Sequence, residues 1–155
     1  MYTKDIFTLS NKWDYRFLDL AQLISTWSKD PSKQIGAVAI GDKRQILAQG
    51  YNGFPRGVID SEDRYADRQR KYELVVHAEM NVIYNASYNG VSLNDSTLYV
   101  YGLPVCHECA KGIIQVGIKN VIMSKKVLPI DPRWQDSWWT TQQLFKESGV
   151  SYAFG

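Results

Sequence analysis

Val75-Val-His-Ala-Glu-Met-Asn-Val-Ile-Tyr-Asn-Ala-Ser87 and Leu103-Pro-Val-Cys-His-Glu-Cys-Ala110 are the two stretches that decide how this 155-residue chain is read. A catalytic zinc site typically takes three protein ligands from His and Cys and keeps a fourth position open. His77, Cys106 and Cys109 supply such a set, and Glu79 stands two residues from the first of them. A carboxylate in that place is the right group to shuttle protons. The chain holds two cysteines and two histidines, and three of these four residues fall inside the set, a concentration that chance scattering does not favour.

Taken alone, Cys106-x-x-Cys109 would serve as well for a redox dithiol or half of a structural zinc site. A redox dithiol has no use for the upstream His-x-Glu. A structural zinc wants a fourth protein ligand, and the spare histidine, His107, lies between the cysteines. If Cys106 and Cys109 share one helical face three residues apart, His107 points elsewhere.

Outward from His77, Ala78, Val82, Ile83 and Ala86 recur at helical spacing and Gly90 follows as a stop, so 77–89 reads as a helix. Residues 97–101 read as a strand, and Cys106 opens a second helix that runs to Gly117. Both ligand segments thus sit at helix N-termini, whose partial positive charge favours thiolate over thiol. Zinc so held brings the pKa of water from about 16 towards about 7, and Glu79 is placed to carry the proton.

Towards the N-terminus, Trp13, Phe17, Leu20, Ala21, Ile24 and Trp27 form an amphipathic stripe, which Ser28-Lys-Asp-Pro31 ends. Residues 36–40 and 45–49 are short apolar runs about Gly41-Asp-Lys-Arg44 and read as a hairpin. Tyr51-Asn-Gly-Phe-Pro-Arg-Gly57 is too rich in turn residues for regular structure. It is either a surface turn or a loop whose backbone and Asn52 side chain face a ligand. In 60–73, nine of fourteen residues are charged. The bland reading is a solvated excursion; the alternative is that Arg64, Arg68, Arg70 or Lys71 meets a phosphate or a neighbouring subunit. Residues 120–124 read as a strand, 137–148 as a helix and 150–154 as a last strand. Alternating strands and helices without repeat or linker argue an α/β layer sandwich in one domain, 1–155.

A net charge of +2 gives no support to a strongly basic nucleic-acid surface. No apolar run approaches the roughly 20 residues needed to span a bilayer. The N-terminus lacks an apolar signal core, so a cytoplasmic location is expected, one that suits reduced thiols.

The order His-x-Glu then Cys-x-x-Cys is the known signature of zinc nucleobase deaminases. With SKDPSKQIGAVAI (28–40), GYNGFPRG (50–57) and the two ligand segments, the chain resembles the dCMP deaminase branch of the cytidine-deaminase-like superfamily over roughly 28–127. That resemblance implies a three-layer α/β/α sandwich with a mixed sheet of about five strands. It implies one zinc per chain on His77, Cys106 and Cys109, with Glu79 as proton shuttle. Asn52 would contact the nucleotide, the backbone at Ala78 would line the base pocket, Lys29 would lie near the 5′-phosphate, and Trp134 would stand near the base. Members commonly form hexamers, often activated by dCTP and inhibited by dTTP. The implied reaction is hydrolysis of dCMP to dUMP and ammonia in pyrimidine deoxynucleotide metabolism, with no nucleic-acid or membrane partner.

Three alternatives stand beside it: deamination of another substrate (cytidine, dCTP, guanine or tRNA adenosine), a nucleotide-binding regulator without turnover, and a zinc-stapled structural domain. The modest charge weighs against tRNA, Glu79 against a pure binder, and the missing fourth ligand against a structural zinc. In one place the chain departs from the family pattern, which usually has Pro directly before the first cysteine. Here Val105 separates Pro104 from Cys106, and ligation is expected to survive through a bulge or a shifted helix start. With no Cys or His in 60–73, no second zinc is expected there.

Overall fold

The structure, a computed structural model, describes residues 12–155. The signal-core reading rests mainly on 1–11, outside the described residues. Five strands form one mixed sheet: β1 (Gly36–Ile40), β2 (Ile46–Tyr51), β3 (Thr97–Tyr101), β4 (Asn120–Met123) and β5 (Ser151–Phe154), in the order β2-β1-β3-β4-β5. β1 runs antiparallel to both β2 and β3, while β3, β4 and β5 are parallel. Six α-helices accompany them: α1 (Lys12–Ser25), α2 (Glu62–Ala66), α3 (Arg68–Leu74), α4 (Ala78–Tyr88), α5 (His107–Gln115) and α6 (Pro132–Ser148).

Alternation along the strands assigns the two faces. Val38, Ile40, Tyr99 and Ile122 meet Phe17, Leu18 and Ala21 of α1. Ala37, Ala39, Leu98, Val100, Val121 and Met123 face the opposite way, onto a core built with Val82 of α4, Ile113 of α5 and Phe145 of α6. Helix, sheet and helices make the three expected layers. The α4 side of β1 and β2 is built from small residues, which lets the helix come close. At Gly50 an added Cβ would stand 2.7 Å from the Ala78 carbonyl and 2.6 Å from the Val82 amide, so the N-terminus of α4 is seated where only glycine fits.

β2 is an edge strand, and α4 covers part of that edge. Asn81 Nδ2 donates to the Tyr51 carbonyl at 2.8 Å, and Asn85 Nδ2 to the Gln49 carbonyl at 2.6 Å.

Three sequence expectations change. Trp27 lies beyond the end of α1, half exposed and edge-on to Tyr51 at 6.1 Å, rather than in the core stripe. The 60–73 excursion contains two short helices, and Lys71 is buried, with its Nζ 3.3 Å from Asp30 Oδ1. α6 begins at Pro132 instead of 137, because Asp131 caps it and Pro occupies its first turn.

Candidate metal centre and active site

The N-terminus of α4 is fixed from two sides. Gly50 admits it against β2, and just before it Val76 pairs with Gly53 through bonds of 2.8 and 3.1 Å. His77 is the N-cap residue of α4, in extended backbone, so its ring projects off the end of the helix. Across from it, β3 ends at Tyr101 and the chain turns at Gly102, whose φ of 124° strains any residue with a Cβ. The turn continues through buried Pro104 and Val105 to Cys106, which is the N-cap of α5. The extra Val105 is absorbed this way: it is fully buried, and the helix starts at His107.

The two helix starts bring the three expected ligands together. His77 Nδ1 lies 3.4 Å from Cys106 Sγ and 3.3 Å from Cys109 Sγ, and all three ligand atoms fall within 4.8 Å of one another. With Zn–S near 2.3 Å and Zn–N near 2.0–2.1 Å, tetrahedral ligation asks for an N···S edge of about 3.5 Å. The residues present fit zinc. Among the described residues this is the one group of His, Cys, Asp and Glu that could hold a metal. His107 is not part of it; its Nδ1 turns to Ser137 Oγ at 2.8 Å.

Charge in the cluster is uneven. Cys106 also accepts a bond from the Cys109 amide at 3.4 Å. The hydrogen bond from the Cys109 thiol, the His77 ring and that amide hold the Cys106 thiol well below its usual range, while the same bond to Cys106 and burial push Cys109 up. The bond to Cys106 raises His77 to about 9 against the effect of burial. Metal binding, which needs both thiolates and a neutral imidazole, therefore releases protons. Glu79, in the first turn of α4, is 4% exposed, and burial pushes its carboxyl up to about 7 against the pull of His77. A carboxyl beside the ligand set is the type of group that takes and gives protons in acid–base chemistry.

Residues 11–125 match the family model of the cytidine and deoxycytidylate deaminase zinc-binding region. The chain belongs to this family. Over 148 residues it is 38% identical to the deoxycytidylate deaminase of Mus musculus, covering 91% of this chain and 78% of the mouse protein. It is 39% identical over 140 residues to "Uncharacterized deaminase in luxG 3'region" of Aliivibrio fischeri, covering 90% and 91% of the two chains. Among solved structures, dCMP deaminase from the cyanophage S-TIM5 in complex with dCMP and dUMP superposes with a TM-score of 0.74 at 25% identity, over 96% of this chain and 100% of that one. Zinc is the cofactor of this deaminase.

The other expected contacts are not members of the metal cluster. Ala78, first residue of α4, is fully buried. Trp134 is half-buried in the first turn of α6, with the Arg133 guanidinium 5.6 Å from its ring centre. Asn52 is buried: its Oδ1 accepts from the Ile35 amide at 2.9 Å, and its Nδ2 donates to the Lys33 carbonyl at 2.9 Å. Its side chain thereby shapes the 28–35 loop, aided by Ser28 Oγ, which donates to the Asn52 carbonyl at 2.8 Å. Lys29 is exposed and paired with Asp60 at 2.8 Å. It lines an open cleft of about 710 Å³ with Lys33, Gln34, Tyr101 and Lys126; the cleft reaches Gly102 but not the three ligands.

Sequence reading missed Asp30, whose Oδ1 accepts from the amides of Ser32 and Lys33 as well as from Lys71. An Asp before Pro, two residues from a Ser amide, is the signal that could have found it.

Proposed function

We propose that this deaminase hydrolyses dCMP to dUMP and ammonia, acting as a single domain over 1–155. The observation that carries the reading is the cluster of His77, Cys106 and Cys109 with buried Glu79 two residues from the first ligand. Zinc, when bound there, supplies the Lewis acidity that makes water nucleophilic near neutral pH. Glu79 accepts the proton given up by the attacking water and delivers it to N3 of the cytosine ring. A C4–O bond forms; Glu79 then takes the remaining proton from the hydroxyl added at C4 and passes it to the exocyclic amine, the C4–N bond breaks as the C4 carbonyl forms, and ammonia leaves. The backbone at Ala78 borders the base, and Trp134 stands beside it.

For the 5′-phosphate the reading uses the 28–35 loop. Lys29 exchanges Asp60 for the phosphate at the rim of the cleft, while Asn52 acts as a positioning residue that holds the loop in shape. A homohexamer regulated by dCTP and dTTP, and a cytoplasmic location, are part of the same proposal, supported by the resemblance to dCMP deaminases. Among the described residues no helix is long and apolar enough to cross a membrane. The test is to incubate the protein with dCMP, dCTP, deoxycytidine, cytidine and guanine and follow the ultraviolet spectra. Conversion of dCMP well ahead of the others is expected; preferred turnover of another base compound overturns the substrate assignment.

A further inference from the structure

Two hydroxyls of α6, one helical turn apart, reach the turn that carries Cys106. The His107 amide donates to Ser137 Oγ at 3.0 Å, and His107 Nδ1 lies 2.8 Å from the same oxygen. Thr141 Oγ1 donates to the Val105 carbonyl at 2.9 Å, and both of these residues are fully buried. The two backbone groups flank Cys106, one on each side. His107 is the first residue of α5, so its amide is one of the four that the helix leaves without an internal partner. α6 itself is firmly seated: Trp138 packs edge-on against Tyr152 and Phe154 of β5, with ring centres 5.4 and 5.6 Å away, and Phe145 is fully buried.

We infer that Ser137 and Thr141 are positioning residues for the metal centre, clamping the backbone on both sides of Cys106 so that its sulfur stays at ligand distance from His77. A proline directly before the cysteine would fix φ through its ring. Val105 has no ring, and the Thr141 hydroxyl holds its carbonyl instead. The pair acts through the backbone on either side of Cys106. The inference rests on zinc being held by His77, Cys106 and Cys109.

The test is the rate at which zinc-loaded protein of measured metal content gives up its zinc to an excess of a chromogenic chelator. Loss of outer partners of a metal site typically costs about 10–100-fold in affinity. The double variant Ser137→Ala/Thr141→Val is expected to release zinc about tenfold faster. Ser137→Thr and Thr141→Ser, which keep the hydroxyls, should stay near the parent rate. Thr140→Val removes a bond of 3.2 Å to the Asp136 carbonyl on the same helix and serves as the control, with no change expected. Should the double variant not fold, Ser137→Ala alone, at a half-buried position, should still release zinc about threefold faster. With cobalt in place of zinc, the thiolate-to-metal absorption of the hydroxyl-less variants should shift, which a loss of stability alone does not produce. Release within about twofold of the parent in these variants, or equal acceleration in Thr140→Val, overturns the inference. Absence of zinc from the parent protein overturns instead the reading on which it rests.

Discussion

At the scale of single residues, the proposed reaction assigns proton transfer to Glu79. Glu79→Gln is nearly isosteric, so fold and zinc content should hold, but the amide cannot take up a proton. General acid–base catalysis contributes about 10²–10⁴-fold. Steady-state kinetics on the zinc-loaded variant should show at least that loss, and activity within about tenfold of the parent contradicts the role. Tyr99 supplies a pH test of the packing between α1 and the sheet. Burial and its 2.6 Å bond to Asp14 raise the phenol above its ordinary value, so the folded state keeps the proton that the unfolded chain loses near pH 10. The sign follows: this contribution is fully present below about pH 10 and is lost as pH rises above it. Tyr99→Phe removes the titrating group, and urea unfolding curves should then fall less steeply between about pH 9 and 11 than those of the parent.

At the scale of elements, the ligand-bearing helices were readable because their signals are local. His77 heads a helical apolar spacing, and Cys106 precedes another. The 28–35 loop was not readable in this way, because its partners are distant. Lys71 stands in sequence as one charge among nine, and only its pairing with Asp30, 41 positions earlier, buries it. Asn52 likewise meets the backbone at 33 and 35 across 19 and 17 positions. The true start of α6 was legible in Asp131-Pro132, a cap followed by proline at the first turn, five residues before the expected boundary at 137. The buried ion pair makes a prediction of its own. Lys71 and Asp30 side chains are only 8% and 5% exposed, so Lys71→Met leaves a buried carboxylate without its cation. Removing one partner of such a pair costs about 3–5 kcal/mol. Urea denaturation should show a loss of that size, and a loss below about 1 kcal/mol would mean that Asp30 is satisfied by its backbone donors alone.

At the scale of the whole molecule, the sheet, two helix starts and one loop place a metal set and a cationic rim within one chain. The layered α/β class followed from alternating strands and helices, and its three layers from the family resemblance, whereas which face each helix covers emerged only from packing. In the proposed reaction the rim sets the preference for a nucleotide over a nucleoside. A charge-assisted contact contributes about 1.5–3 kcal/mol, or about 10–150-fold, so kcat/KM for dCMP should exceed that for deoxycytidine by at least about 10²-fold. Lys29→Ala should erode most of that preference while leaving zinc content unchanged. If only substitutions at Arg64, Arg68 or Arg70 erode it, the phosphate is held by the 60–73 segment instead.

The most direct test of the central claim is a single assay on protein of known zinc content, following dCMP by its ultraviolet spectrum before and after removal of the metal. One zinc per chain, stoichiometric appearance of dUMP and ammonia, loss of turnover on chelation and its return with added zinc are the predicted result. Protein that holds one zinc per chain and leaves dCMP unchanged would contradict the account.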